Sequence, residues 1–325
     1  MIVMENSRME ILAIRFSGMG DIVMLLQAFQ KLKQKYANAR ITLLCDSTNA
    51  DIAKNSGGLI DDVVTLNRGV FKAKKFLAIL KEIAHLLSLR KKQFDLIIDF
   101  QNFGETALIT HFCKAKEKRG APKKKNKEYA YTIIVSREES GHRSQFFSRI
   151  AGVDDSLDFS KMVLSETAKA YRTFLMVKLD QSKKTIGLNI GSTQETRRWS
   201  EKNFAQFGEH YKKDFNVIVF AGKREKQYLD AFSNDIIRVS DVNVDELCGA
   251  IDVCDYFVSN DTGPMHVAAA LGISTLTFFS TGTDANTGAL SSQKVFLSNF
   301  DNINALNVQE AIKEFELLLS KSVLQ

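Results

Sequence analysis

The stretch Val258–Gly272, VSNDTGPMHVAAALG, decides how the rest of the chain is read. Tyr256-Phe257-Val258 is an apolar run with the look of a buried parallel strand. It gives way to a polar turn, Ser259-Asn260-Asp261-Thr262-Gly263-Pro264. Met265–Leu271 then forms a strong helix former, stopped by Gly272, and a further strand is expected at Ile273–Phe279. In open α/β sheets a turn of this kind lies at the carboxyl end of a strand, where ligands bind. It also offers backbone N–H groups at a helix N-terminus, which suit a phosphate. Gly263 lets the backbone approach closely and Pro264 fits the first helical turn. The same residues suit an ordinary βα loop with a good cap, and chemistry alone leaves both readings open.

Working outward, the C-terminal half repeats the strand–helix alternation. Strands are expected at Thr185–Ile190, Asn216–Ala221 and Ile236–Val239, and helices at Glu166–Leu179, Ser200–Lys212 and Val244–Ile251. A long polar loop, Gly191–Trp199, follows the first of these strands. Gly222–Glu225 opens a further helix, and Gly282–Gly288 is a polar loop. A terminal helix at Asn307–Leu319 carries an apolar face at Val308, Ile312, Phe315 and Leu319. The N-terminal half alternates likewise. Its strands are Glu10–Phe16, Arg40–Cys45, Asp62–Leu66, Phe94–Phe100 and, weakly, Tyr131–Val135. Its helices are Ile22–Tyr36, Asn49–Ser56, Phe71–Leu89, Glu105–Cys113 and Ser144–Ala151. Two parallel, doubly wound α/β halves follow, with the change at the irregular stretch Asp154–Ser165. The domains are therefore drawn at 1–160 and 161–325. The first βα turn contains Gly18 and Gly20 but lacks the third glycine of a dinucleotide fingerprint. Asp21 at the helix start reads either as a cap or dipole partner, or as a general base at the mouth of the sheet.

Composition narrows the function classes. A chain of 325 residues exceeds one typical core. The four cysteines, at 45, 113, 248 and 254, show no CxxC spacing and read as buried thiols of a reducing compartment. Met1–Met9 lacks the apolar core of a signal peptide, and no apolar run reaches transmembrane length, so a soluble cytoplasmic protein is expected. The net charge is +6, with basic clusters at Arg90–Lys92, Lys114–Arg119 and Lys123–Lys127. Such a surface favours an anionic membrane or substrate, or is simply solvated. No nucleic-acid recognition motif accompanies the charge, so no nucleic-acid partner is expected. No DxD motif or His/Cys cluster with metal spacing is present, and neither a metal nor a cofactor is expected.

At this point the residues match a known family. The chain resembles the heptosyltransferases of lipopolysaccharide inner-core synthesis, glycosyltransferase family 9. The resemblance rests on Asn260–His266 with Ala268–Gly272, on Ile14-Arg15 through Gly20-Asp21, and on Asp95–Gln101. Arg119-Gly120 and Arg198-Trp199 add to it. It implies the GT-B fold, two Rossmann-like domains facing across a cleft, with acceptor bound mainly by the first and nucleotide-sugar by the second. The terminal helix would cross back to the first domain. It implies transfer of heptose from ADP-heptose to a lipid-linked anionic core sugar, with inversion, at the cytoplasmic face of the inner membrane.

On that resemblance Asp21 is the base, with Gly18, Gly20 and Gln101 on the acceptor side. Asp261, Thr262 and Gly263 form the donor-phosphate turn. Ser192, Thr193 and His266 lie toward the donor, and Glu225 takes the ribose hydroxyls. Amides plus a cation would replace a divalent metal at the leaving diphosphate. The chain departs from the family at three places. Arg197 stands where a lysine is usual, Gln27 where a proline is usual, and Phe279–Asp284 replaces a Gly-Pro-Thr turn. Arginine still offers a planar fork to a diphosphate. The departures leave room for another nucleotide-sugar or acceptor, and for a nucleotide-sugar-binding protein without transfer activity.

Overall fold

The computed structural model describes residues 8–16, 18–67, 76–137, 141–159, 161–192, 194–280, 284–291, 293–299 and 301–323. Thr193 lies outside them, as do the start of the polar loop expected at Gly282–Gly288 and the first residues of the helix expected from Phe71; the rest of that expected loop contains a short helix, Asp284–Thr287. The chain forms two compact units, Met1–Ser160 and Lys161–Gln325.

The first unit is a six-stranded parallel sheet in the order β3-β2-β1-β4-β5-β6. Its strands are β1 (Met9–Ile14), β2 (Ala39–Asp46), β3 (Asp62–Leu66), β4 (Gln93–Asp99), β5 (Lys114–Gly120) and β6 (Ile133–Ile134). The second repeats that order with β7 (Thr185–Asn189), β8 (Asn216–Ala221), β9 (Ile237–Ser240), β10 (Tyr256–Asn260), β11 (Ser274–Phe279) and β12 (Lys294–Ser298), arranged β12-β11-β10-β7-β8-β9. Each is a doubly wound sheet whose strand order reverses between its first and fourth strands. That reversal opens a crevice at the carboxyl ends of β1 and β4, and another at those of β7 and β10.

The central strands are apolar on both faces because helices cover both. In β1 and β4, Ile11, Leu12, Ile97 and Ile98 are inaccessible to solvent, and Ile11 pairs with Leu96 in register. The helix Met19–Lys35 follows β1 and buries Ile22, Leu25, Leu26, Phe29 and Leu32. It also buries Gln27, whose amide donates to the Ser156 carbonyl (2.9 Å) and accepts from the Asp158 amide (3.2 Å). A proline there would offer neither group, so Gln27 ties the helix to the chain leaving the first unit.

In the second unit Trp199 is fully buried. It stacks on Phe278 at 4.2 Å between ring centroids and meets Phe204 edge-on at 4.9 Å. The terminal helix, Val308–Val323, lays Ala311, Ile312, Phe315 and Leu318 into this same core.

Two strands differ from expectation. β5, KAKEKRG, reads in sequence as a basic stretch ahead of a loop, and β12 has no signal of its own. The segment after Glu225 is a 3-10 helix, Lys226–Ala231. Among the described residues no helix is long and apolar enough to cross a membrane.

Candidate active site

In the first unit the crevice is built around Asp21. Gly18 precedes the helix Met19–Lys35 with φ 89°, a left-handed backbone that disfavours any side chain. A Cβ added there would stand 2.4 Å from Asp21 Oδ2, so the carboxylate folds back over its own turn. Gly20 is buried in the first helical turn.

Two arginines hold the Asp21 carboxylate. Arg15, just past β1, pairs with Oδ2 through Nη2 and donates from Nη1 to the Phe100 carbonyl at 2.8 Å. Arg143, at the start of the helix Arg143–Ala151, reaches Oδ1 at 2.9 Å. Burial pulls the Arg15 guanidinium below its ordinary pKa, and the Asp21 carboxylate opposes that shift. The Asp21 side chain is 14 % exposed and Arg143 45 %, so the carboxylate meets solvent on the Arg143 side. Each carboxylate oxygen has two lone pairs, which leaves Oδ1 able to accept from an incoming hydroxyl.

Asp99, at the end of β4, is the buried anchor of the same crevice. Its Oδ1 accepts from the Gln101 and Asn102 amides (2.9 and 2.8 Å), and its Oδ2 from the Tyr131 hydroxyl (2.7 Å). Burial pushes the Asp99 carboxyl up, against the pull of these hydrogen bonds. Gln101 is buried and accepts from the Phe16 amide at 3.2 Å, linking the ends of β1 and β4.

In the second unit the turn read first, Asn260–Gly263, sits at the end of β10. Asn260 Oδ1 accepts from the Trp199 amide at 2.9 Å, and its Nδ2 donates to the Ile190 and Gly191 carbonyls. The Gly191–Trp199 loop is thereby fastened to the turn. Asn189 Nδ2 donates to Ser259 Oγ and Thr262 Oγ1, both at 2.8 Å. Thr262 is the N-cap of the helix Gly263–Ala270, yet its side chain caps nothing. The amides of Thr262 and Gly263 meet no acceptor among the described residues. His266 is buried one turn in.

The loop sorts its two arginines. Arg198 lies over the Tyr228 ring, 4.3 Å from its centroid, and donates to the Tyr228 hydroxyl at 3.2 Å. Arg197, in the 3-10 turn Glu195–Arg197, makes no ion pair or hydrogen bond through its guanidinium among the described residues. Ser192 Oγ donates to the Gln194 carbonyl (2.8 Å) and so shapes the loop. Glu225, beyond β8, is only 7 % exposed, and its carboxylate has no partner among the described residues. Residues that reading the sequence missed are Arg143, Asp99, Asn189 and the scaffold role of Trp199. The matched motifs contained Asp99 and Trp199, but no motif or spacing announced Asn189 or Arg143.

The helix N-terminus without a side-chain cap and Arg197, unpaired among the described residues, both belong to the carboxyl-end crevice of the second doubly wound unit, where such folds bind ligands. Residues 83–316 match the family model described as glycosyltransferase family 9 (heptosyltransferase), and the chain belongs to that family. It is a glycosyltransferase of the GT-B fold. The lipopolysaccharide heptosyltransferase 1 of Campylobacter coli is 26 % identical over 294 residues, covering 83 % of this chain and 84 % of that protein. The lipooligosaccharide heptosyltransferase 2 of Campylobacter jejuni (strain 81116) is 23 % identical over 302 residues, covering 87 % and 85 %. Among solved structures, a family 9 glycosyltransferase from Veillonella parvula superposes with a TM-score of 0.83 at 17 % identity, covering 98 % of this chain and 99 % of that one. Escherichia coli heptosyltransferase WaaC with ADP gives 0.80 at 15 %, covering 95 % and 100 %.

Proposed function

We propose that this enzyme transfers a heptose from ADP-heptose to a lipid-linked, anionic sugar of the lipopolysaccharide core, with inversion and without a metal ion. The observation that carries this reading is the N-terminus of Gly263–Ala270, without a side-chain cap, together with Arg197, whose guanidinium has no partner among the described residues. Both supply positive potential to a departing diphosphate, the part a divalent cation plays elsewhere. The relatives' printed activities, and the ADP bound by the WaaC structure, agree with it.

In the reaction the acceptor hydroxyl oxygen attacks the anomeric carbon as the bond from that carbon to the diphosphate oxygen breaks. The hydroxyl proton passes to Asp21 Oδ1, and ADP leaves with the bonding electrons. Gly18, Gly20 and Gln101 shape the acceptor side. Asp261, Thr262, Gly263 and Ser192 surround the donor phosphates with Arg197, joined by Thr193 and His266. Glu225, buried with no carboxylate partner among the described residues, takes ribose hydroxyls. The enzyme works on the cytoplasmic face of the inner membrane, as a peripheral protein held by charge.

Calorimetric titration with ADP, UDP and GDP, with and without EDTA, tests the donor. A metal-independent preference for ADP is expected, followed by turnover of ADP-heptose in EDTA. Preference for UDP or GDP would keep the fold and discard the heptose. Loss of turnover in EDTA would overturn the metal-free mechanism.

A further inference from the structure

We infer that one face of the first unit, the ridge of helix Gly104–Phe112 with the 3-10 helix Lys125–Ala130 beside it, is the surface that seats on an anionic bilayer. The inference rests on the membrane-peripheral reading above and assigns it a place.

The helix follows β4 and buries Thr106, Ala107 and Thr110 against the sheet. Its opposite ridge carries Gly104, Leu108 and His111, spaced four and three apart, hence one above the other. A helix that faces water should be polar on that ridge. Instead Leu108 is 60 % exposed at its centre. The neighbouring 3-10 helix adds Tyr129, 53 % exposed, whose ring meets the His111 ring edge-on at 5.1 Å. Single exposed apolar residues are ordinary, but here two large ones share one patch.

Cations ring this patch. Lys127 lies against Gly104, since a Cβ built there would be 3.7 Å from Lys127 Nζ. Arg90 sits over the Phe112 ring at 4.3 Å from its centroid. Lys118 Nζ donates to the His111 carbonyl at 3.1 Å. Lys124 and Lys125 are exposed at the start of the 3-10 helix. Glu105 and Glu128 are the acidic residues of these two elements, so cations outnumber them. An apolar centre within a cationic rim is the chemistry of an anionic lipid surface, with Leu108 and Tyr129 at headgroup depth and the lysines among the phosphates. The helix starts three residues beyond Gln101, at the carboxyl end of the first sheet. Seating this face would bring a lipid-anchored acceptor to the crevice that holds Asp21.

The test is flotation of the full chain with vesicles of phosphatidylcholine, alone or mixed with phosphatidylglycerol, at low and high salt. Leu108→Ser/Tyr129→Ser should weaken binding to mixed vesicles by about tenfold, and Lys124→Glu/Lys125→Glu by at least as much, with the latter's loss at low salt only. Val177→Ser, which alters an apolar residue 78 % exposed on the second unit, should bind as wild type. All three variants should turn over a delipidated acceptor as the wild type does. Wild-type binding by the Leu108/Tyr129 variant would overturn this surface while leaving membrane attachment in place. Failure of the wild-type chain to bind mixed vesicles would overturn both. Loss of activity on the delipidated acceptor would reassign the face to the acceptor sugar.

Discussion

The two units share one strand order, yet their crevices are finished in opposite ways. In the first, the charge at the mouth is satisfied within the protein: Asp21 lies between Arg15 and Arg143, and Asp99 gathers two amides and a hydroxyl. In the second, charge is left open: Thr262 turns away from its helix, and Arg197 pairs with nothing among the described residues. Under the proposed function the same topology serves two chemistries. A carboxylate that must receive a proton has to be oriented before substrate arrives. Donors that must receive a diphosphate have to remain uncompensated until it arrives.

The most direct way to break the comparison is at Asp21. Asp21→Asn keeps the shape and removes the proton acceptor, so turnover should fall by about 10²–10⁴-fold, with ADP affinity unchanged. Retained turnover would make Asp21 a structural partner of its arginines. Next comes the sorting of the loop arginines. Arg197→Ala should weaken ADP binding by roughly ten- to a hundredfold, since charge-assisted bonds to the diphosphate are lost. Arg198→Ala should leave ADP binding nearly intact and lower stability by about 0.5–1 kcal/mol through loss of its stack on Tyr228. Reversed outcomes in titration calorimetry would exchange the two roles.

Gly18→Ala sharpens the first-unit side. The new Cβ would meet Asp21 Oδ2 at 2.4 Å on a backbone with φ 89°. Denaturant unfolding should show a loss of about 1–3 kcal/mol, and turnover should fall because the carboxylate must move. A variant as stable and active as wild type would show that the carboxylate does not need this fold-back.

Much of this was legible in the chain. FDLIID announces a central parallel strand because both its faces are buried. SNDTGPMH announces a strand–turn–helix with an exposed N-terminus. KAKEKRG could not announce β5, because its alternate residues are charged and the strand borders short β6 near the sheet edge. The clamp on Asp21 was hidden for a different reason. Arg143 lies 122 residues from Asp21, and only the packing of its helix against Met19–Lys35 brings the two together. Arg197 and Arg198 are adjacent and chemically alike, so only the fold, which sets Arg198 against Tyr228 of the 3-10 helix after β8 and 3.9 Å from Glu195, tells them apart.

The smallest effect tests the open end of the second crevice most specifically. Ser200 accepts from the Asn203 amide at 3.2 Å, and Ser165 from Ala168 at 3.1 Å, as helix caps ordinarily do. Thr262 instead accepts from Asn189, and Asn189 keeps Ser259 as a second partner if that bond is lost. Ser200→Ala should therefore cost about 1 kcal/mol, the usual worth of a cap. Thr262→Ala should cost about 0.5 kcal/mol, because Ser259 still serves both groups that lose a bond, Asn189 and the Asn260 carbonyl, and no helix amide is newly orphaned. Equal losses in urea unfolding would mean that Thr262 caps its helix in solution. The N-terminus of Gly263–Ala270 would then be closed by the protein itself, and the contrast between the two crevices would rest on Arg197 alone.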